Sequence, residues 1–261
     1  MRLVAEDLTL RYGPRIAVRR VSLTVTHGEL VAIVGPNGGG KSTLLRGLAR
    51  LHKPAAGRVL LGDNDIRALN ARAVARVLAV LPQSPPAWLD LTVRELTWRG
   101  RYPHQGLLQR ATSADHDAVA WAMDAADVAC FADRSLLSLS GGERQRAWIA
   151  LALAQQPAIL LLDEPTSFLD IRHQVEIMQL LQRLNADGIT VVVVLHDLAL
   201  ASRHAQRVVG LRDGQVAFDG SPLSVFQPPA LEAVFGVPMT VFADPETGLP
   251  IPFPRAIPAG Q

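Results

Sequence analysis

A glycine-rich stretch over residues 30–43, LVAIVGPNGGGKST, holds the first residues whose types and spacing could do chemistry. An apolar run, Leu30 to Val34, stops at Gly35. Pro36, Asn37, Gly38 and Gly39 follow, and then Gly40, Lys41, Ser42 and Thr43. The pattern G-x-x-x-x-G-K-S/T between a strand and a helix is a phosphate-binding loop. Glycines let the backbone wrap an anion and turn its N–H groups inward. The helix behind the loop adds unpaired N–H groups and the positive end of its dipole. Lys41 brings a point charge to the β- and γ-phosphates, and the Ser42 hydroxyl is a ligand for Mg²⁺. Leu44, Leu45, Leu48 and Leu51 recur at helical spacing behind it.

Three further apolar runs end in polar residues. Ala79–Leu81 runs toward Gln83, Ile159–Leu162 into Asp163 and Glu164, and Val191–Leu195 into His196. Taken singly, Gln83 is a loop residue, Asp163 a solvated strand end and His196 a core histidine. Taken together they gather, because open α/β sheets bind ligands off the carboxyl ends of their strands. Charge then assigns the roles. A nucleoside triphosphate brings Mg²⁺, a hard ion suited to Ser42 and Asp163. Glu164 is free to orient or deprotonate a water, and His196 can hold that water or the γ-phosphate. Ser140, Gly141 and Gly142 start another helix and make a second anion site. Spacing does not say whose phosphate it meets. Tyr12 either closes a strand end or offers a flat ring to a base.

These groups need elements to hold them. Strands are expected at 2–10 and 21–26, with a turn at Gly13 and Pro14. Others are expected at RVLL (58–61), VLAVL (77–81) and QVAFD (215–219). Helices are expected at 70–78, 115–131 and 172–185. A turn rich in proline (Ser84, Pro85, Pro86) and a basic turn, RGRYPHQG, mark 84–138 as a mostly helical insertion. The tail from Ser221 reads as a helix, a short strand and a loose end. Continuous apolar strands alternating with helices mean a parallel sheet buried on both faces.

The chain has 261 residues, 49% apolar and 19% charged, with a net charge of +2. That is an ordinary globular composition, and so small a net charge does not by itself argue for nucleic acid, which would want a clustered basic face. The single cysteine, Cys130, excludes an internal disulfide framework and is expected to be a small core residue. The opening MRLVAEDLTL holds Glu6 and Asp7 where a secretory signal would need an apolar run. No stretch approaches the ~20 apolar residues of a membrane span, so the expectation is a soluble or peripheral chain.

Nearly the whole chain resembles the ATP-binding cassette family. GPNGGGKST is similar to its Walker A motif, ILLLDE to Walker B, and LSGGERQRA to its signature, the most specific of the three. Gln83 matches the Q-loop, SFLD with Asp170 the D-loop, and His196 the switch histidine. The resemblance implies an α/β P-loop NTPase (RecA-like) core with a parallel sheet, an N-terminal antiparallel β subdomain and an inserted helical subdomain. It divides the chain into an ATP-binding core (1–83 and 139–220), a helical subdomain facing a permease (84–138) and a short C-terminal extension (221–261). Tyr12 becomes the adenine-stacking ring. Gly35, Pro36, Asn37, Gly38, Gly39, Gly40, Lys41, Ser42 and Thr43 hold ATP. Glu164, His196 and Gln83 serve hydrolysis, and Ser42, Gln83 and Asp163 hold Mg²⁺. Ser140, Gly141, Gly142 and Glu143 meet the ATP of a second copy in a head-to-tail homodimer.

Within that family RGRYPHQG, FLDIRHQVEIMQLL and VFGVPMTVFADPETGLPIPFP are similar to importers of ferric siderophores, with haem and cobalamin importers as the alternative. The implied partners are a membrane-spanning permease dimer and, indirectly, an extracytoplasmic binding protein. The implied place is the cytoplasmic face of the inner membrane. Two residues depart from the pattern. Gly39 stands where Ser, Ala or Cys is common, and Trp98 where a smaller residue is common; Trp98 either packs on the permease or fills its subdomain. A cassette ATPase acting on nucleic acid is the rival of another class. It would carry a long coiled coil between Gln83 and Leu139, where this chain has no heptad run.

Overall fold

Residues 1–83, 89–106 and 111–256 are described by the computed structural model. The expected turn at Ser84, Pro85 and Pro86 lies outside them. Strands β1 (Leu3–Tyr12) and β2 (Arg15–Val25) form an antiparallel hairpin. The second strand is longer than the alternation predicts, and the cause is local. Asp7 and Arg20 take left-handed backbone, φ 45° and 46°. The register shifts between Ala5 and Leu8 and again between Leu8 and Leu10. Each such bulge moves the inward-facing set by one residue and scrambles a period-two pattern.

Strand β3 (Leu30–Val34) is buried along its whole length and runs through the glycine loop into helix α1 (Lys41–Leu48). β4 (Ala56–Leu61) and β5 (Asn64–Asp65) complete a four-stranded sheet of order β2-β1-β4-β5. Helix α2 (Ala71–Ala75) is capped by Asn70 and stops well short of residue 78, where β6 (Leu78–Leu81) begins. Helices α3 (Val93–Arg99) and α4 (Ser113–Ala125) each open on a capping box, Thr92 with Glu95 and Thr112 with Asp115. The helix expected over 115–131 ends at Ala125. Asp127, at φ 55°, turns the chain out of the helix, and 129–131 form a single 3₁₀ turn. Cys130 lies on that turn and is exposed, which corrects the expectation of a core cysteine.

Helix α5 (Gly141–Leu153), strand β7 (Ile159–Asp163), helix α6 (Ile171–Ala186) and strand β8 (Thr190–Val194) follow. Then come α7 (Leu198–His204), β9 (Arg207–Arg212) and β10 (Gln215–Gly220). The tail holds two short helices, α8 (Pro222–Val225) and α9 (Pro228–Phe235), and a hairpin of β11 (Met239–Ala243) and β12 (Pro250–Pro254). That is more structure than the proline content suggests. Proline starts α9 and Gly236, at φ 71°, ends it.

The chain divides into two compact units, Met1–Asp65 with Val192–Gln261, and Ile66–Val191. In the first, β3 runs parallel to β9, and β10 closes antiparallel on β9. Leu195 N–H donates to the Ile33 carbonyl at 3.0 Å. In the second, β6 runs parallel to β7, Leu78 opposite Ile159 through Leu81 opposite Leu162. A buried ion pair organises the helices here. The Arg101 guanidinium donates to Asp115 at 2.9 Å, to the Ala154 carbonyl at 2.7 Å and to Gln156 at 3.0 Å. One cation thus joins the exit of α3, the start of α4 and the end of α5. The Thr112 N–H, its hydroxyl and Arg101 hold the Asp115 carboxyl down at about 2 against its desolvation. Among the described residues no helix is long and apolar enough to cross a membrane.

Candidate active site

In the first unit the loop after β3 needs glycine for two separate reasons. Gly35 has φ 146°, and a Cβ there would lie 2.1 Å from the Leu211 carbonyl oxygen. Gly40 has φ 100°, and its Cβ would lie 2.4 Å from the Ala17 carbonyl oxygen. Both conformation and contact therefore exclude a side chain. Gly40 is also the N-cap of α1, and no side chain caps that helix. Lys41 is 5% exposed, and its ammonium donates to the Gly35 and Pro36 carbonyls at 2.8 and 3.0 Å. Ser42 and Thr43 follow on the first turn, half-buried, while Asn37 and Gly38 are exposed.

Tyr12 sits at the end of β1 with 46% of its surface exposed. Its ring lies 4.6 Å from that of His52, tilted by 53°. The His52 Nε2 is 3.0 Å from the Arg11 carbonyl. An aromatic placed for the inside of a hairpin would be covered, and this one is not. His196 follows β8 and is exposed. Asp197 beside it caps α7, accepting from Ala199 and Leu200 N–H at 2.7 and 3.0 Å.

The second unit holds the carboxylates. Asp163 ends β7 at 2% exposure. A buried carboxylate is an acceptor-only group, the type that suits a hard divalent ion. Glu164 takes a left-handed φ of 53°, a conformation that costs a residue with a Cβ about 1 kcal/mol or more. Its Oε2 accepts from the Gln83 amide at 2.6 Å and from the Ser167 hydroxyl at 3.1 Å. The structure thus brings Gln83 and Glu164 into direct contact. The sequence placed Ser167 in the D-loop but did not show its hydrogen bond to Glu164; its place three residues after Glu164 was the available signal.

At the head of α5, Ser140 and Glu143 form a capping box. Glu143 N–H donates to Ser140 Oγ at 3.3 Å, and Ser140 N–H donates to the Glu143 carboxylate at 2.8 Å. The Ser140 backbone N–H, more than any other group, holds the Glu143 carboxyl below the usual range. Gly142 is buried, and a Cβ on it would fall 1.5 Å from His173 Cδ2. His173 stands on the first turn of α6. Asp170 caps that turn, accepting the His173 N–H at 2.9 Å. Arg146 of α5 and Glu176 of α6 pair at 2.8 Å beside it. His173 was also missed, because nothing local in a single sequence pairs it with a glycine on another helix. Phe168 stands between Ser167 and Asp170 with φ 63° and 98% exposure.

Residues 18–167 match the family model described as ABC transporter. The chain belongs to the ABC transporter family. The match takes in the glycine loop, Gln83, LSGGE and the two carboxylates; Tyr12, Asp170 and His196 fall outside it. Across 97% of this ABC chain and 94% of the relative, 44% of residues are identical to the ferric enterobactin transport ATP-binding protein of Escherichia coli (strain K12). Across 95% and 93%, 41% are identical to the iron(3+)-hydroxamate import ATP-binding protein of Bacillus subtilis (strain 168). Among solved structures, a dimeric bacterial ABC transporter cassette matches with a TM-score of 0.72 and 32% identity, over 84% of this chain and 98% of that one.

Proposed function

We propose that this chain is the ATP-hydrolysing subunit of a bacterial importer for ferric siderophores. The observation that carries the ATPase reading is the Glu164 carboxylate after β7, held by Gln83 and Ser167, in a chain whose glycine loop turns into a helix start bearing Lys41. The loop N–H groups and Lys41 bind the phosphates, and Tyr12 stacks the adenine. Ser42, Asp163 and Gln83 would hold Mg²⁺, which when bound would supply charge neutralisation for the phosphates. Glu164 takes the proton of the attacking water and His196 orients the γ-phosphate. Positioning and electrostatics supply most of the rate in such a reaction, so a handful of groups suffices.

The second anion site belongs to a homodimer. Ser140, Gly141, Gly142 and Glu143 meet the nucleotide held by the other copy, with Asp170 at the junction. A dimeric relative of similar fold supports this arrangement. Closure on ATP and opening after hydrolysis then drive a membrane-spanning permease. We assign the permease contact to 84–138, the core to 1–83 and 139–220, and the extension to 221–261. An open groove of about 460 Å³, lined in part by Leu91, Trp98, Tyr102, His116 and Met123, supports that assignment. Trp98 lies there against His116, ring centres 4.7 Å apart. The chain works at the cytoplasmic face of the inner membrane, with an extracytoplasmic binding protein as an indirect partner.

Both relatives named above handle ferric chelates, which favours siderophore over haem or cobalamin. The test is uptake in host cells whose chromosomal copy carries Glu164→Gln, using radiolabelled ferric siderophores, haem and cobalamin. Loss of a ferric siderophore alone is the expected result. Loss of haem or cobalamin instead would overturn the substrate, and salt-dependent DNA binding would revive the nucleic-acid class.

A further inference from the structure

The hairpin that carries Tyr12 also carries a cation that the sequence reading left unassigned. Arg15 is paired with Tyr12 across the two-residue turn at Gly13 and Pro14. Directly opposed residues of an antiparallel pair project from the same face. That face runs along the glycine loop at two points. The Arg15 Nη2 lies 3.8 Å from where a Cβ of Gly38 would stand. Two residues on, the Ala17 carbonyl crowds Gly40.

The guanidinium is exposed, and among the described residues it has no carboxylate partner. The neighbouring Arg20 on the same strand differs: it pairs with Asp7 at 3.8 Å. Arg15 thus brings a second cation to the loop, on the side where Gly38 stands. A phosphate bound in the loop would give the exposed guanidinium an anion to hold. A planar fork of five donors is suited to phosphate oxygens.

We infer that Arg15 is a phosphate-binding residue of the nucleotide site, a second cation acting with Lys41 on the phosphate chain of a nucleoside di- or triphosphate. The inference rests on the ATP reading of the loop. Tyr12 and Arg15 then work as a pair on one hairpin end, the ring on the base and the guanidinium on the phosphates. Neither needs the second copy of the chain.

The experiment is equilibrium binding of ATP, ADP and adenosine to the full chain by titration calorimetry, at low and high salt. The variants are Arg15→Ala, Arg15→Lys, Arg15→Glu, Arg20→Ala and Lys41→Ala. Arg15→Ala is expected to weaken ATP about tenfold, one charge-assisted contact, and to flatten the salt dependence. Arg15→Glu weakens it further, Arg15→Lys recovers part, and Arg20→Ala matches the parent chain. Adenosine affinity does not move with any of them. Because Arg15 is exposed, thermal unfolding of each Arg15 variant stays at the parent temperature. If Arg15→Ala and Arg15→Glu bind ATP within twofold of the parent while Lys41→Ala does not bind, the inference is wrong and the ATP reading stands. If Lys41→Ala also binds ATP normally, the phosphate-loop reading falls and takes the inference with it.

Discussion

Helices α1 and α5 begin in opposite ways. Helix α1 has glycine at its N-cap, no capping side chain and a lysine as its first residue. Helix α5 has a serine cap and a glutamate closing the box, so two of its end groups are satisfied by its own residues. The first start is poor for a helix in isolation and good for an anion; the second is the reverse. A helix start that no side chain of its own caps suits a ligand that its own chain binds. A helix that caps itself stays formed while it waits for one. In our account α1 holds the chain's own ATP and α5 meets the ATP of the second copy.

That contrast can be broken from either side. Lys41→Ala should lower ATP affinity about 100-fold, as loss of a buried charge contact predicts, and titration calorimetry reads it directly. Gly142→Ala puts a Cβ where the His173 ring stands, so the ring must leave its place against the start of α5. It should leave ATP binding by the single chain within about threefold and reduce hydrolysis about tenfold or more. Equal loss of binding in both variants would erase the distinction between the two helix starts.

Smaller effects sharpen it. Glu143→Gln weakens the capping box by about 1 kcal/mol at neutral pH. The Glu143 carboxyl titrates lower in the folded chain than its ordinary 4.5. Its contribution is therefore present above that value and is lost as pH falls through the lower folded one. The gap in unfolding temperature between the parent and Glu143→Gln should close as pH drops below about 4.5; a constant gap would mean the charge does not matter to the cap. Gly39→Ala should do least. Gly39 lacks a left-handed φ, and a Cβ there meets the Pro36 oxygen at 3.0 Å and the Leu211 oxygen at 3.2 Å. A shift of a few tenths of an ångström accommodates it, so ATP affinity should stay within about threefold. A larger loss would show that the third glycine is needed in the loop.

Buried strands were legible because they are uninterrupted apolar runs: β3, β7 and β8 are buried at every residue. The loop was legible because its glycines and Lys41 are adjacent in sequence. The full length of β2 was not, since the bulges at Asp7 and Arg20 shift the alternation. The end of α4 was missed because Asp127, not glycine, takes the left-handed position. Contacts between distant residues were the least accessible. His173 under Gly142 and Arg15 over Gly38 depend on packing that no local pattern encodes. Gln83 and Glu164 were expected at one sheet rim, but their 2.6 Å hydrogen bond is a property of the fold.

Glu164 as the base is the assignment on which hydrolysis depends. Phosphate release from Mg²⁺-ATP by purified Glu164→Gln, measured beside the parent chain, addresses it most directly. The predicted result is a rate at least about 100-fold lower with ATP affinity within about threefold. A rate within twofold of the parent would contradict the assignment of Glu164 and, with it, the proposed division of labour between Lys41 and the carboxylates Asp163 and Glu164.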